Sequence, residues 1–299
     1  MAPRLLALVA VVPLVAAAGP DAPPADLPVK VTRGIPFATA GGEVLKLDVA
    51  APTTGGPYPA VLMLHGGAWR MGDRADLSTA AINLTANRVT PSVIAGVAAR
   101  GYVVASASYR LAPRHPFPAQ IDDARSAVRF LRNNAKTHNI DPDRIAAGGF
   151  SAGAHLALLL ALNPPPVADG DTSAAVRCAV SYFGPTDLSL YAASPGLEDT
   201  YMVPFLGKAC KTDPTAYRVA SPINFVSKAA PPVLLVHGTA DFIVPIIHSE
   251  RLLARLKGAG AVAELLTVPG AGHGWGGPTA AKTTAAAVRF LDQHLKGVR

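Results

Sequence analysis

A mainly parallel β-sheet covered by helices on both faces, an α/β fold, is what this sequence predicts, and three observations carry the prediction. Short apolar runs alternate along the chain with stretches of helical spacing, the pattern of repeated strand–helix units. One of those runs, "AVLML" (60–64), is apolar at every position, as a strand buried on both faces must be. Half of the residues are hydrophobic and only 16% are charged, so 299 residues supply enough apolar surface for one large core.

The elements follow in order. "VLKLDVA" (44–50) alternates and is predicted as an antiparallel edge strand. "AVLMLHGG" (60–67) and "YVVASASY" (102–109) are buried strands, the first running into a glycine loop. "DDARSAVRFLRNNA" (122–135) has helical spacing, with Asp122 and Asp123 suited to the positive end of a helix dipole. "RIAAGGF" (144–150) is a strand and "AGAHLALLLAL" (152–162) a helix that stops before Pro164. "CAVSYFG" (178–184), "PVLLVHG" (232–238) and "ELLTVPG" (264–270) are three further strands, and "AAKTTAAAVRFLDQHL" (280–295) is the last helix. Residues 188–221 break the alternation with scattered Pro, Tyr and Gly, and are predicted as a polar, cap-like insertion over one end of the sheet. No internal repeat and no second domain are visible.

The first 18 residues read as a secretory signal peptide: Arg4 is followed by an apolar stretch and then by Ala16-Ala17-Ala18. With Pro13 inside it, the stretch is too short for a membrane span, so a secreted or periplasmic protein is expected, with no membrane partner after cleavage. Residues 19–39 are predicted as a Pro-rich leader and 40–299 as the folded domain. The formal charge of +7 is not gathered into basic runs with interleaved aromatics, which argues against nucleic-acid binding. Cys178 and Cys210 leave both free thiols and one disulfide open. The sequence does not give the oligomeric state.

In open α/β sheets chemistry gathers beyond the carboxyl ends of the strands, and the sequence places reactive residues there. "GFSAG" fits the G-x-S-x-G nucleophile elbow, a sharp strand-to-helix turn that exposes Ser151. A serine needs a base, and a histidine base needs a group that fixes its tautomer. "VHGTAD" puts Asp241 just past one strand, and "GAGHGW" puts His273 just past the last. Ser, Asp and His thus occur in the chain order expected after such an elbow. Asp187, in "GPTDL", is the runner-up acid. His155 and His237 are expected to be packed supports, His294 to lie on a solvated face, and His115 and His248 to lack strand-end context. "HGGAW" (65–69) follows an early strand, where the backbone N–H groups of Gly67 or Ala68, with that of Ala152, are placed to receive a developing oxyanion. His65 would organise that loop. Trp69 and Trp275, beside these motifs, are expected to wall a substrate pocket, the alternative being that both only anchor their loops. Neither metal nor organic cofactor is implied, because no ligand spacing is present.

Together "HGGAW", "ASYRLAPRHPFPAQIDDARSAVRFL", "DPDRIAAGGFSAGAHLA", "GPTDL", "ASPINF", "PPVLLVHGTADFIVP" and "GAGHGW" resemble the secreted α/β-hydrolase esterases. The resemblance is to the acetyl-xylan/feruloyl esterase-like group and to the hormone-sensitive-lipase type, and it runs from about residue 40 to the C-terminus. It implies an α/β-hydrolase fold, a nucleophile at Ser151, an acid at Asp241 and a base at His273. It also implies a small ester or acylated carbohydrate as substrate, with deacetylation of plant polysaccharide as one activity. Where the lipase type has HGGG, Ala68 replaces the third glycine; its N–H remains, but its methyl restricts a bulky acyl group. A similar HGG-x-W loop in formamidase-like hydrolases keeps an arylformamidase-like amidase as an alternative. A prolyl-oligopeptidase-type peptidase is disfavoured because the chain has no room for a propeller domain. A catalytically silent binding protein is disfavoured because triad and loop are both retained.

Overall fold

The computed structural model describes residues 26–78, 82–85, 88–90, 92–165 and 173–298. The expected signal peptide and the start of the leader lie outside the described residues. Eight strands form one sheet: β1 (Val29–Ala40), β2 (Glu43–Pro52), β3 (Tyr58–Leu64), β4 (Val103–Ala107), β5 (Ile140–Phe150), β6 (Ala179–Tyr182), β7 (Val233–Gly238) and β8 (Ala263–Val268). Their spatial order is β1-β2-β4-β3-β5-β6-β7-β8. β2 is antiparallel to both of its neighbours, and every other pairing is parallel. The strand–helix alternation is therefore realised as an α/β-hydrolase sheet.

Side chains alternate across the sheet as strand geometry requires. On β3, Ala60, Leu62 and Leu64 join one core cluster while Val61 and Met63 join the other. Helices α2 (Ala119–Asn133), α3 (Ala152–Leu162) and α4 (Ile247–Gly258) cover the first face; α1 (Val93–Ala98) and α5 (Gly277–Leu291) cover the second. Every residue of α3 is buried, which is why its sequence is apolar all round.

Two expectations need correction. The leader does not extend to residue 39, because Val29–Ala40 is the antiparallel edge strand and the 44–50 segment lies one place inside it. Its alternation is hidden by Gly34 and Pro36. Both are tolerated on an edge, and the register shifts between Thr32 and Ile35 and between Pro36 and Ala38. The insertion is also not a polar cap. Its short helical turns bury Leu188, Tyr191, Met202, Phe205 and Tyr217 against the core around α3. Each turn is too short to show a period, so the apolar residues look scattered in sequence. Cys178 and Cys210 are free thiols.

Candidate active site

The site is built from loops at the carboxyl ends of β3, β5, β7 and β8. At the end of β5 the chain reverses into α3 through Ser151, whose φ of 53° and ψ of −117° lie outside the ordinary wells. Glycine is required beside it. A Cβ on Gly153 would stand 2.1 Å from the Leu64 carbonyl oxygen and 2.4 Å from that of His65, so only a bare backbone lets α3 pass this close to β3. The Ser151 amide donates to Tyr182 O at 2.9 Å, which ties the turn to β6.

Asp241 follows β7 and is almost wholly buried. Its Oδ1 accepts the amides of Ile243 at 3.0 Å and Val244 at 2.9 Å, while its Oδ2 lies 2.7 Å from His273 Nδ1. Burial opposes ionisation of this carboxyl. Hydrogen bonds from His237, His273 and the Val244 amide outweigh that effect and hold it well below the usual carboxylate range. His237 Nε2 lies 2.7 Å from Val244 O and 3.5 Å from Asp241 Oδ2, and its Nδ1 meets Ser249 Oγ at 2.7 Å. It braces the Asp241 loop, as expected.

His273 Nε2 lies 2.9 Å from Ser151 Oγ, which completes a continuous chain from carboxylate to hydroxyl. Its loop can reach β7 because Gly238 has no side chain: a Cβ there would come within 2.3 Å of Ala271 O. Asp187, the runner-up acid, lies elsewhere. It pairs with Arg251 at 3.0 Å and caps its own helical turn through Ser189.

The HGGAW loop crosses the elbow, and a Cβ on Gly66 would sit 3.6 Å from that of Ser151. Gly67, Ala68 and Trp69 all have positive φ, at 104°, 52° and 59°. Among the described residues, the amides of Gly67, Ala68 and Ala152 donate to no other group, so all three remain available as donors. His65 stacks on Tyr109, with ring centroids 4.2 Å apart, and the Tyr109 hydroxyl donates to His65 O at 2.9 Å. Burial lowers the pKa of His65, so it remains a neutral support. Tyr109 was not singled out in sequence; its place directly after a buried strand, facing the HGG loop, is the signal that could have found it.

The two tryptophans part company. Trp69 is buried, stacks on Phe205 at 4.1 Å and donates its Nε1 proton to His155 Nδ1 at 3.2 Å, so it anchors the loop. Trp275 does line an apolar cavity of about 150 Å³. Phe150, Phe183, Met63, Val97 and Val180 line it too. The Phe183 ring is 4.8 Å from that of His273, which puts the cavity beside the site. His248 is buried, with its Nδ1 accepting the Thr186 amide at 3.2 Å. His294 is half-buried against Phe290 rather than on a solvated face.

This geometry can be set beside known proteins. The sequence profile of the BD-FAE family matches residues 47–256, more than half of the chain. The chain belongs to the BD-FAE family. Among curated relatives, the esterase LipC of Mycobacterium tuberculosis is 33% identical over 253 residues, covering 79% of this chain and 59% of that protein. Esterase LipQ of the same organism is 33% identical over 240 residues, covering 77% and 53%. The chain therefore spans little more than half the length of these two relatives. A solved truncated carbohydrate esterase from gut microbiota superposes with a TM-score of 0.73 at 27% identity, covering 89% of this chain and 96% of that one. The thermophilic esterase Est2 of Thermogutta terrifontis gives 0.69 at 26%, covering 90% and 92%.

Proposed function

We propose that this protein is a serine carboxylesterase that hydrolyses short-acyl esters of small alcohols or carbohydrates, including acetyl esters of plant polysaccharide. The carrying observation is the unbroken hydrogen-bonded chain from Asp241 through His273 to a strained Ser151. The esterase relatives and the gut carbohydrate esterase support the same reading. Ser151 Oγ attacks the ester carbonyl carbon as His273 Nε2 takes its proton, and Asp241 stabilises the resulting imidazolium. The amides of Gly67, Ala68 and Ala152 receive the oxyanion. His273 then protonates the departing alcohol, leaving the acyl group on Ser151. Water, deprotonated by His273, releases the acid. The N-terminal segment is proposed to direct the protein out of the cytoplasm, to the medium or the periplasm.

The preference for short acyl groups rests on the cavity and on the Ala68 methyl. A void of about 150 Å³ holds a group about as large as benzene, not a ten-carbon chain. Hydrolysis of p-nitrophenyl acetate, butyrate and decanoate, with a feruloyl ester and an aryl formamide beside them, tests the assignment. We expect kcat/KM for acetate to exceed that for decanoate by at least about tenfold, the equivalent of one or two buried methylenes misfitted. A preference for decanoate overturns the short-acyl assignment, and a preference for the formamide moves the protein to the amidases.

A further inference from the structure

The loop proposed to carry the oxyanion donors is held in a conformation that it would not adopt alone. Ala68 and Trp69 are consecutive non-glycine residues with left-handed backbone, at φ 52° and 59°. Such a backbone is sterically costly for a residue with a Cβ and persists only where its surroundings enforce it. Part of the restraint is local: the amides of Arg70 and Met71 donate to Gly67 O, and the Ala112 amide donates to Trp69 O. The rest runs through the Trp69 side chain to His155.

His155 sits one turn beyond Ser151 in α3, and its amide donates to Ser151 O at 3.0 Å. The imidazole is wholly buried and its two nitrogens have different partners. Nε2 is 2.7 Å from the Ala220 carbonyl oxygen, which can only accept, so the proton resides on Nε2. Nδ1 is then a lone-pair acceptor, and the Trp69 indole N–H donates to it at 3.2 Å. Burial drives the His155 pKa down to about 4, with the Ala220 bond opposing, so this neutral form is present at working pH. The Trp69 indole also lies flat on Phe205 of the insertion, with an interplanar angle of 10°. One imidazole thus joins three parts: the nucleophile's own helix, the oxyanion loop and the insertion.

We propose that His155 is a positioning residue for the reaction: by accepting the Trp69 indole hydrogen bond, it fixes the left-handed oxyanion loop relative to the nucleophile. The proposal rests on the reading of Ser151 as nucleophile and of the Gly67 and Ala68 amides as oxyanion donors. Without the bond, the loop relaxes toward right-handed or extended backbone and its amides turn from the developing charge. Oxyanion donors matter chiefly in the transition state, so the loss should appear in kcat and hardly in KM.

Four variants test this with p-nitrophenyl acetate as substrate and a melting curve for each: Trp69→Phe, His155→Ala, His155→Asn and Trp69→Phe/His155→Asn. Trp69→Phe keeps an aromatic ring on Phe205 and removes the donor together with part of the ring volume, and its double variant with His155→Asn separates the two effects. His155→Asn offers a carbonyl oxygen close to the Nδ1 position. We expect Trp69→Phe and His155→Ala to lower kcat by about 10–100-fold with KM changed less than about threefold, a partial loss of what an oxyanion donor provides. His155→Asn should regain most of that kcat when Trp69 is present and none of it beside Trp69→Phe. A folded Trp69→Phe with the parent kcat overturns the proposal. So does a His155→Asn no better than His155→Ala. If His155→Ala fails to fold, Trp69→Phe decides alone. Ser151→Ala is run alongside: turnover there sinks the nucleophile reading, whereas an inactive Ser151→Ala beside a fully active Trp69→Phe sinks only the role of His155.

Discussion

Replacing Asp241 by asparagine should cost nearly all turnover while leaving the site's shape intact, and the structure says why. The two carboxylate oxygens do different work: Oδ1 accepts two backbone amides, and Oδ2 faces His273 Nδ1 at 2.7 Å. Asparagine can keep the amide pair only by putting its carbonyl at the Oδ1 position. Its NH₂ then faces His273 Nδ1, which must accept, and the imidazole proton moves to Nε2. Nε2 is the atom 2.9 Å from Ser151 Oγ, so the base has no lone pair for the serine proton. Flipping the carboxamide instead sets its NH₂ against two amide donors, at about 1–3 kcal/mol for each buried group left unpaired. The wrong tautomer therefore prevails, and we expect kcat to fall about 10⁴-fold, or about 5.4 kcal/mol at 1.36 per decade, with KM within about threefold. The assay is p-nitrophenyl acetate hydrolysis near pH 7.5, with Asp187→Asn as the control. Asp187 pairs with Arg251 and touches neither His273 nor Ser151, so that variant should stay within about threefold of the parent. The same substitution has a signature in stability. Because the folded-state pKa of Asp241 is depressed, its ionised form stabilises the protein above the ordinary carboxylate pKa of about 4. That contribution is lost as pH falls below this value toward the folded pKa, so Asp241→Asn should flatten the acid limb of a melting-temperature profile. A severe loss in Asp187→Asn with near-parent activity in Asp241→Asn would refute the reasoning.

Two glycines offer separate tests of the close packing behind the site. Gly153→Ala places a methyl 2.1 Å from a β3 carbonyl oxygen, so urea unfolding should show a loss of at least about 3 kcal/mol, or no soluble protein; parent stability would contradict the elbow packing. Gly238→Ala pushes against Ala271 O and Gly272 O in the base loop, so kcat should fall about 10²-fold through displacement of His273, with a smaller effect on stability. Unchanged kcat there would mean that the base loop does not depend on this contact.

Much of the site was legible because its residues stand at strand ends, and strands buried on both faces announce themselves as apolar runs. Ser151, Asp241 and His273 each follow such a run, in one chain order, and the structure brings all three within hydrogen-bonding distance in series. The HGGAW loop was legible for the same reason. What was hidden depends on packing that leaves no period. β1 carries a glycine, a proline and two register shifts, so its alternation is broken where an edge can tolerate it. The insertion buries Met202, Phe205 and Tyr217 from turns too short to show a helical face. Trp69 and Trp275 look alike in sequence, each beside a motif. Only their surroundings separate them: Phe205 and His155 enclose one, and an apolar cavity lies against the other.

The central claim is that Ser151 is the atom-bearing nucleophile, and covalent trapping tests it most directly. The protein is titrated with diethyl p-nitrophenyl phosphate; released p-nitrophenol, remaining turnover of p-nitrophenyl acetate and the mass of the labelled peptide are followed together. The account predicts one equivalent of p-nitrophenol released, activity lost in proportion, and a single diethylphosphoryl group on Ser151, with neither label nor turnover in Ser151→Ala. Stoichiometric inactivation with the label on another residue, or turnover by Ser151→Ala at the parent rate, would contradict it.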